Sequence, residues 1–174
     1  MDAAANVVAS GISSHFAIVG DGEMRTDIER YAHDLGLSDR VTFTGWRSDL
    51  PDIYTDLDAL VISSDNEGTP VSVIEGMASG CAIVATRVGG LVDLLKHEET
   101  GFLVDPQDAE QLSEGILRVL SDSDYALRIG RSATVAVREQ YALDRLVTDT
   151  QKLYEHLLSI KGLETIRQPP GSGA

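Results

Sequence analysis

Two glutamates, Glu67 and Glu75, stand eight positions apart across Gly68-Thr69-Pro70-Val71-Ser72-Val73-Ile74. The segment follows the apolar run 59–63, so it leaves a predicted strand at its C-terminal end, where open α/β sheets bind ligands. Thr69 has the chemistry of a helix N-cap, and Pro70 suits the first helical position. A helix starting there leaves the amides of Val71 and Ser72 without intrahelical partners at the positive end of its dipole, which suits a diphosphate. Gly68 lets a ligand approach the backbone closely. Glu75, one turn in on the face of Val71 and Ser72, is a carboxylate among Val73, Ile74, Met77 and Ala78. It could accept hydrogen bonds from the vicinal hydroxyls of a ribose, and Glu67 could do so for a sugar placed beyond the phosphates. A capped helix with a glutamate in its first two turns is also ordinary structure; the pair, joined through Gly-Thr-Pro, favours a ligand.

The elements that must position these groups follow from hydrophobic patterning. Runs at 15–19, 40–43, 59–63, 82–86 and 101–104 are short, β-branched and nearly continuously apolar, as expected of strands covered on both faces. Helical patterns at 24–36, 48–56, 71–79 and 90–96 lie between them. The alternation predicts an α/β fold with a Rossmann-like, doubly wound parallel sheet. After Asp105-Pro106-Gln107-Asp108 the pattern is wholly helical, near 108–121, 123–140 and 143–160, with Leu146, Leu153, Leu157 and Ile160 at helical spacing in the last. Residues 1–161 read as one domain and 162–174 as a disordered tail. Asp2 to Ser10 reads as a helix with no strand before it. A mononucleotide-binding unit opens with a central strand, in the order 3-2-1-4-5-6, so the first strand reads as missing. Its neighbours must then close up or leave a gap of about 10 Å, twice the usual strand spacing.

Bulk properties narrow the function. The 174 residues carry 14 Lys and Arg against 28 Asp and Glu, a net charge of −14, which argues against a nucleic-acid partner. An anionic ligand would be held by local donors. No run approaches the roughly 20 apolar residues of a membrane span, and the N-terminus lacks the basic region of a signal peptide. Cys81 is the sole cysteine, and no Cys/His cluster has metal-site spacing. A reducing cytoplasm is the expected location, and Cys81, before the run 82–86, reads as a buried small residue.

Weaker signals resolve to structure. Gly20-Asp21-Gly22 opens like a dinucleotide fingerprint, but Arg25 stands at the third glycine position. Asp56-Leu57-Asp58 imitates a metal-binding Asp-x-Asp, yet it precedes its strand, at the wrong end of a sheet for a ligand. His15, His33, His97 and His156 read as solvated or locally bonded. Trp46 fits two roles equally, stacking on a base or packing at a rim.

Glu67-x7-Glu75, with Gly76-Met77-Ala78-Ser79-Gly80-Cys81-Ala82-Ile83-Val84-Ala85-Thr86 and Gly89-Gly90, resembles the E-x7-E signature of family 4 glycosyltransferases. The resemblance covers about residues 2–160. Val19-Gly20-Asp21-Gly22 is similar to the family's second-strand turn, Phe43-Thr44-Gly45-Trp46-Arg47 to the loop that meets the base, and Gly101-Phe102-Leu103-Val104 to a later strand. The resemblance implies the C-terminal, donor-binding half of a GT-B enzyme that uses a nucleotide-diphosphate sugar (UDP- or GDP-linked), retains anomeric configuration and needs no metal or other cofactor. It implies that Glu67 contacts the donor sugar near the reacting carbon and that Thr69, Pro70 and Val71 form the backbone cradle for sugar and distal phosphate. Glu75 would bind the ribose, and Arg47, mainly through its backbone, with Trp46 would meet the base. Gly76 departs from the family's alanine, at about 1 kcal/mol of helix propensity. The basic Gly-Arg…Lys-Gly loop and the acceptor domain are expected upstream of Met1, and any peripheral membrane contact would come through that domain. Two other readings stand beside this one: a non-catalytic nucleotide-binding or interaction module, and a sugar-nucleotide epimerase of GT-B type, which shares the fold but fits these motifs less well.

Overall fold

The computed structural model describes residues 1–161, so the expected disordered tail at 162–174 lies outside the described residues. The elements run α1 (Asp2–Ala9), β1 (Phe16–Val19), α2 (Arg25–Asp34), β2 (Val41–Gly45), α3 (Leu50–Asp56), β3 (Leu60–Ile62), α4 (Val71–Ser79), β4 (Ile83–Thr86), α5 (Leu91–Leu94), β5 (Phe102–Val104), α6 (Ala109–Ser121), α7 (Ser123–Tyr141) and α8 (Leu143–Ile160). Every run and periodic stretch read from the sequence therefore carries the expected element type. Among the described residues the chain clusters into two compact units, residues 1–137 and 138–161.

In the first unit the strands pair in parallel, in two ladders rather than one: β1 with β2, and β3-β4-β5 with β4 central. Among the described residues no ladder joins β1 to β3. α1 packs with residues of two core clusters. Ala3 and Val7 pack with Leu112, Ile116 and Val119, while Ala4 packs with Ala32, Leu37 and Val41. Coverage on both faces holds for β4, buried along its whole length, and fails for β1, where Ala17, Ile18 and Val19 are exposed. β4 has a paired strand on each side, whereas β1 is paired on one edge only.

The ladder β3-β4-β5 matters most because it holds α4. Val73 and Met77 bury one face of α4 with Ile83, Ala85, Leu91 and Leu103. Gly76 is buried on the same helix, where a Cβ would lie 2.5 Å from Leu60 Cδ2; the lost helix propensity makes room for a β3 side chain. α4 ends at Gly80, in the left-handed region at φ 81°, where the Cys81 amide donates to the Gly76 carbonyl at 3.0 Å. Thr134 Oγ1, from α7, donates to the Met77 carbonyl at 2.9 Å. That approach requires Gly130, since a Cβ there would stand 2.2 Å from the Gly80 carbonyl oxygen. Gly130→Ala is accordingly expected to destabilise the chain by about 2–4 kcal/mol despite its better helix propensity, read as a lower denaturant midpoint at unchanged m-value. A midpoint at or above wild type would contradict the close approach.

In the second unit α8 has no buried residue, and Leu146, Leu153, Leu157 and Ile160 are all exposed. Arg145 Nε bonds Asp149 Oδ2 one turn on, at 3.2 Å. Among the described residues no helix is long and apolar enough to cross a membrane.

Candidate functional site

β3 ends at Ile62 and α4 begins at Val71, so Ser63 to Pro70 form the connecting loop at the C-terminal end of the strand. The helix start differs from expectation by one residue. Pro70, not Thr69, is the N-cap: it is extended at φ −70° and ψ 117°, and its carbonyl accepts from the Val73 amide at 3.1 Å. The Thr69 side chain makes no cap hydrogen bond, because the cap position is already taken by a residue whose carbonyl opens the helix. Among the described residues the Val71 and Ser72 amides have no backbone partner, and they open a nine-residue helix with no acidic residue in its first turn. Two donors thus point out of the positive end of a dipole with no acidic side chain in the helix's first turn.

Each glutamate is held by one hydroxyl. Ser64 Oγ donates to Glu67 Oε1 at 2.7 Å, and Tyr54 on α3 donates through its phenol to Glu75 Oε2 at 3.0 Å. Ser64 is itself fixed, because the buried Thr86 hydroxyl at the end of β4 donates to its carbonyl at 2.6 Å. The loop is also pinned from the side. The Gly90 amide donates to the Glu67 carbonyl at 3.1 Å. Cβ atoms added at Gly89 or Gly90 would come within 1.8 Å of the Glu67 carbonyl oxygen or 1.9 Å of that of Gly68. Only glycines allow the β4–α5 turn to lie against this backbone, and Gly89, at φ 45°, is also left-handed. Sequence reading singled out Gly89-Gly90 as a motif without a role, and missed Tyr54, Ser64 and Thr86. A tyrosine 21 positions before its carboxylate carries no local spacing signal.

Trp46 and Arg47 lie on the separate loop after β2. Trp46 is 84% exposed, and its ring is unpacked among the described residues. The Arg47 guanidinium is engaged with Asp49, Nε donating to Oδ1 at 2.7 Å, which leaves its backbone as the available group. That ion pair raises the Arg47 pKa and holds the Asp49 carboxyl below its usual range.

Leu57 and Asp58 line a recess with Gly80 and Cys81, at the end of α4 opposite its free amides. Cys81 is buried, burial raises its thiol pKa, and its Sγ donates to the Tyr54 carbonyl at 2.9 Å. His97 Nδ1 accepts from the Leu103 amide at 3.0 Å, His15 bonds Thr42, and His33 lies beside Asp34. Among the described residues no group of three or more His, Cys, Asp or Glu is placed to hold a metal ion.

This arrangement has known counterparts. Residues 1–135 match the family model described as glycosyl transferases group 1. An uncharacterized glycosyltransferase of Methanocaldococcus jannaschii is 32% identical over 152 residues, covering 86% of this chain and 39% of the relative. Among solved structures, sucrose-phosphate synthase from Thermosynechococcus elongatus is 29% identical with a TM-score of 0.82, over 91% of this chain and 42% of that one. The Anabaena protein HepE, solved in complex with UDP-glucose, is 26% identical with a TM-score of 0.78, over 90% of this chain and 44% of that one. The chain therefore spans about two fifths of the length of the relatives it matches. With the family model covering most of its residues and the same α/β architecture in its neighbours, the chain belongs to the group 1 glycosyltransferases.

Proposed function

We propose that residues 1–161 are the nucleotide-sugar-binding domain of a retaining, family 4 glycosyltransferase that works in the cytoplasm without a metal ion. The observation that carries this reading is the start of α4: two unpaired amides, with the Glu75 carboxylate one turn in. In this assignment the amides of Val71 and Ser72 take the distal phosphate of a UDP- or GDP-sugar, and the backbone of Gly68, Thr69 and Pro70 cradles the sugar. Glu67 orients the sugar at its reacting carbon, Glu75 takes the ribose hydroxyls, and the Trp46–Arg47 loop meets the base. When the bond from the anomeric carbon to the diphosphate oxygen breaks, negative charge grows on that diphosphate. Donors already aimed at it, on a helix that need not reorganise, stabilise that charge. Glu67 then positions rather than attacks. Acceptor binding, and any peripheral membrane contact, fall to the part of the relatives' length that this chain does not span.

Titrating UDP-glucose and GDP-mannose into isotopically labelled chain tests the assignment. Amide resonances of Gly68, Val71, Ser72, Gly89 and Gly90 are expected to shift, while those of α8 do not. Saturable shifts elsewhere, with none at the start of α4, would refute it. The partial span favours binding without turnover, so the 174-residue chain alone is expected to bind donor and transfer no sugar. Product analysis with donor alone also distinguishes an epimerase, which would return an isomerised sugar nucleotide.

A further inference from the structure

Glu75 is held by a residue outside its own segment. Tyr54 sits on α3, is 7% exposed, and belongs to the same buried cluster as Val73 and Met77 of α4 and Cys81. Its hydroxyl donates to Glu75 Oε2 at 3.0 Å, and among the described residues this is the one hydrogen bond the Glu75 side chain makes. The backbone of Tyr54 is tied down as well, its carbonyl accepting from Cys81 Sγ at 2.9 Å. A glutamate on a helix has several rotatable bonds, and ordering them at the moment of binding weakens affinity. Here the order exists beforehand. Burial, and then the bond to Glu75, push the Tyr54 phenol up to about 12, because a phenolate would lie desolvated beside a carboxylate. The hydroxyl is therefore a donor at neutral pH.

We propose that Tyr54 is a positioning residue for nucleotide recognition: by holding Oε2 of Glu75, its hydroxyl presents Oε1 to the vicinal hydroxyls of a ribose. The inference rests on the reading of Glu75 as the ribose-binding group, and it assigns to α3 a share in choosing ribonucleotides over their deoxygenated analogues. Tyr54→Phe keeps the ring and removes only the hydroxyl.

The test compares binding of UDP and 2′,3′-dideoxy-UDP to the unaltered chain and to the Tyr54→Phe and Glu75→Ala variants by calorimetry. Tyr54→Phe is expected to weaken UDP roughly tenfold while leaving the dideoxy analogue unchanged. A structural role would weaken both nucleotides alike, and that result, or no change in either, overturns the inference. If Glu75→Ala still prefers UDP over the dideoxy analogue as the unaltered chain does, the ribose reading itself fails. If Glu75→Ala loses that preference and Tyr54→Phe keeps it, only the inference fails. If the unaltered chain binds GDP and not UDP, the same comparison is made with GDP and 2′,3′-dideoxy-GDP; a chain that binds neither UDP nor GDP overturns both. Should Tyr54→Phe not fold, Glu75→Asp decides: it keeps the charge but withdraws it from Tyr54 by one methylene, and retained preference for UDP overturns the proposal.

Discussion

Glu75→Ala is expected to weaken donor binding by roughly 10- to 100-fold, the loss that follows from removing a carboxylate bonded to two hydroxyls. The same change withdraws the partner of the buried Tyr54 phenol, so stability should fall by about 1–3 kcal/mol. The two effects have different origins and can be separated. The double variant Tyr54→Phe/Glu75→Ala leaves no orphaned hydroxyl and should recover part of the stability while recovering no affinity. Calorimetric titration with UDP-glucose or GDP-mannose reads the first effect, and denaturant unfolding reads the second. Unchanged donor affinity in Glu75→Ala would remove the ribose role, whatever happened to stability.

Gly89→Ala is expected to damage fold and site together. The added Cβ would lie 1.8 Å from the Glu67 carbonyl oxygen, and the residue would have to hold φ 45°. Left-handed backbone and overpacking against another backbone together suggest a loss of about 2–4 kcal/mol. The clash is with main chain rather than the flexible end of a side chain, so relief requires the β4–α5 turn and the Ser63–Pro70 loop to part. Parting would break the bond from the Gly90 amide to the Glu67 carbonyl. Donor affinity should then fall at least tenfold even where enough folded protein remains to measure. Wild-type stability with wild-type binding would show that these loops need no close contact.

Much of the architecture was legible because it depends on local patterning. Short β-branched runs form strands wherever they can be covered, and the 71–79 segment is helical because its apolar residues repeat with the helix period. The Val71 and Ser72 amides were legible too, since any helix beginning near Pro70 leaves its first donors unpaired. The exact cap was not. Thr69 has the better cap chemistry, but only the backbone at Pro70, extended with its carbonyl already in the helix, decides where the helix opens. The exposure of β1 escaped as well: an apolar strand reads as covered from its own residues, whereas its coverage depends on what packs over it in the fold.

The Glu67–Glu75 segment, its place after a strand and the free amides at its helix start were determined by the sequence alone, because each depends on residues within one or two turns of one another. The tertiary structure decided what holds those groups. Tyr54 reaches Glu75 from 21 positions upstream, Thr86 steadies Ser64 across 22, and Gly89 and Gly90 admit the loop from the far side of β4. Such contacts bring together residues distant along the chain and leave no periodic trace in it. Hydrogen bonds and excluded volume between distant segments arise only once the chain has packed.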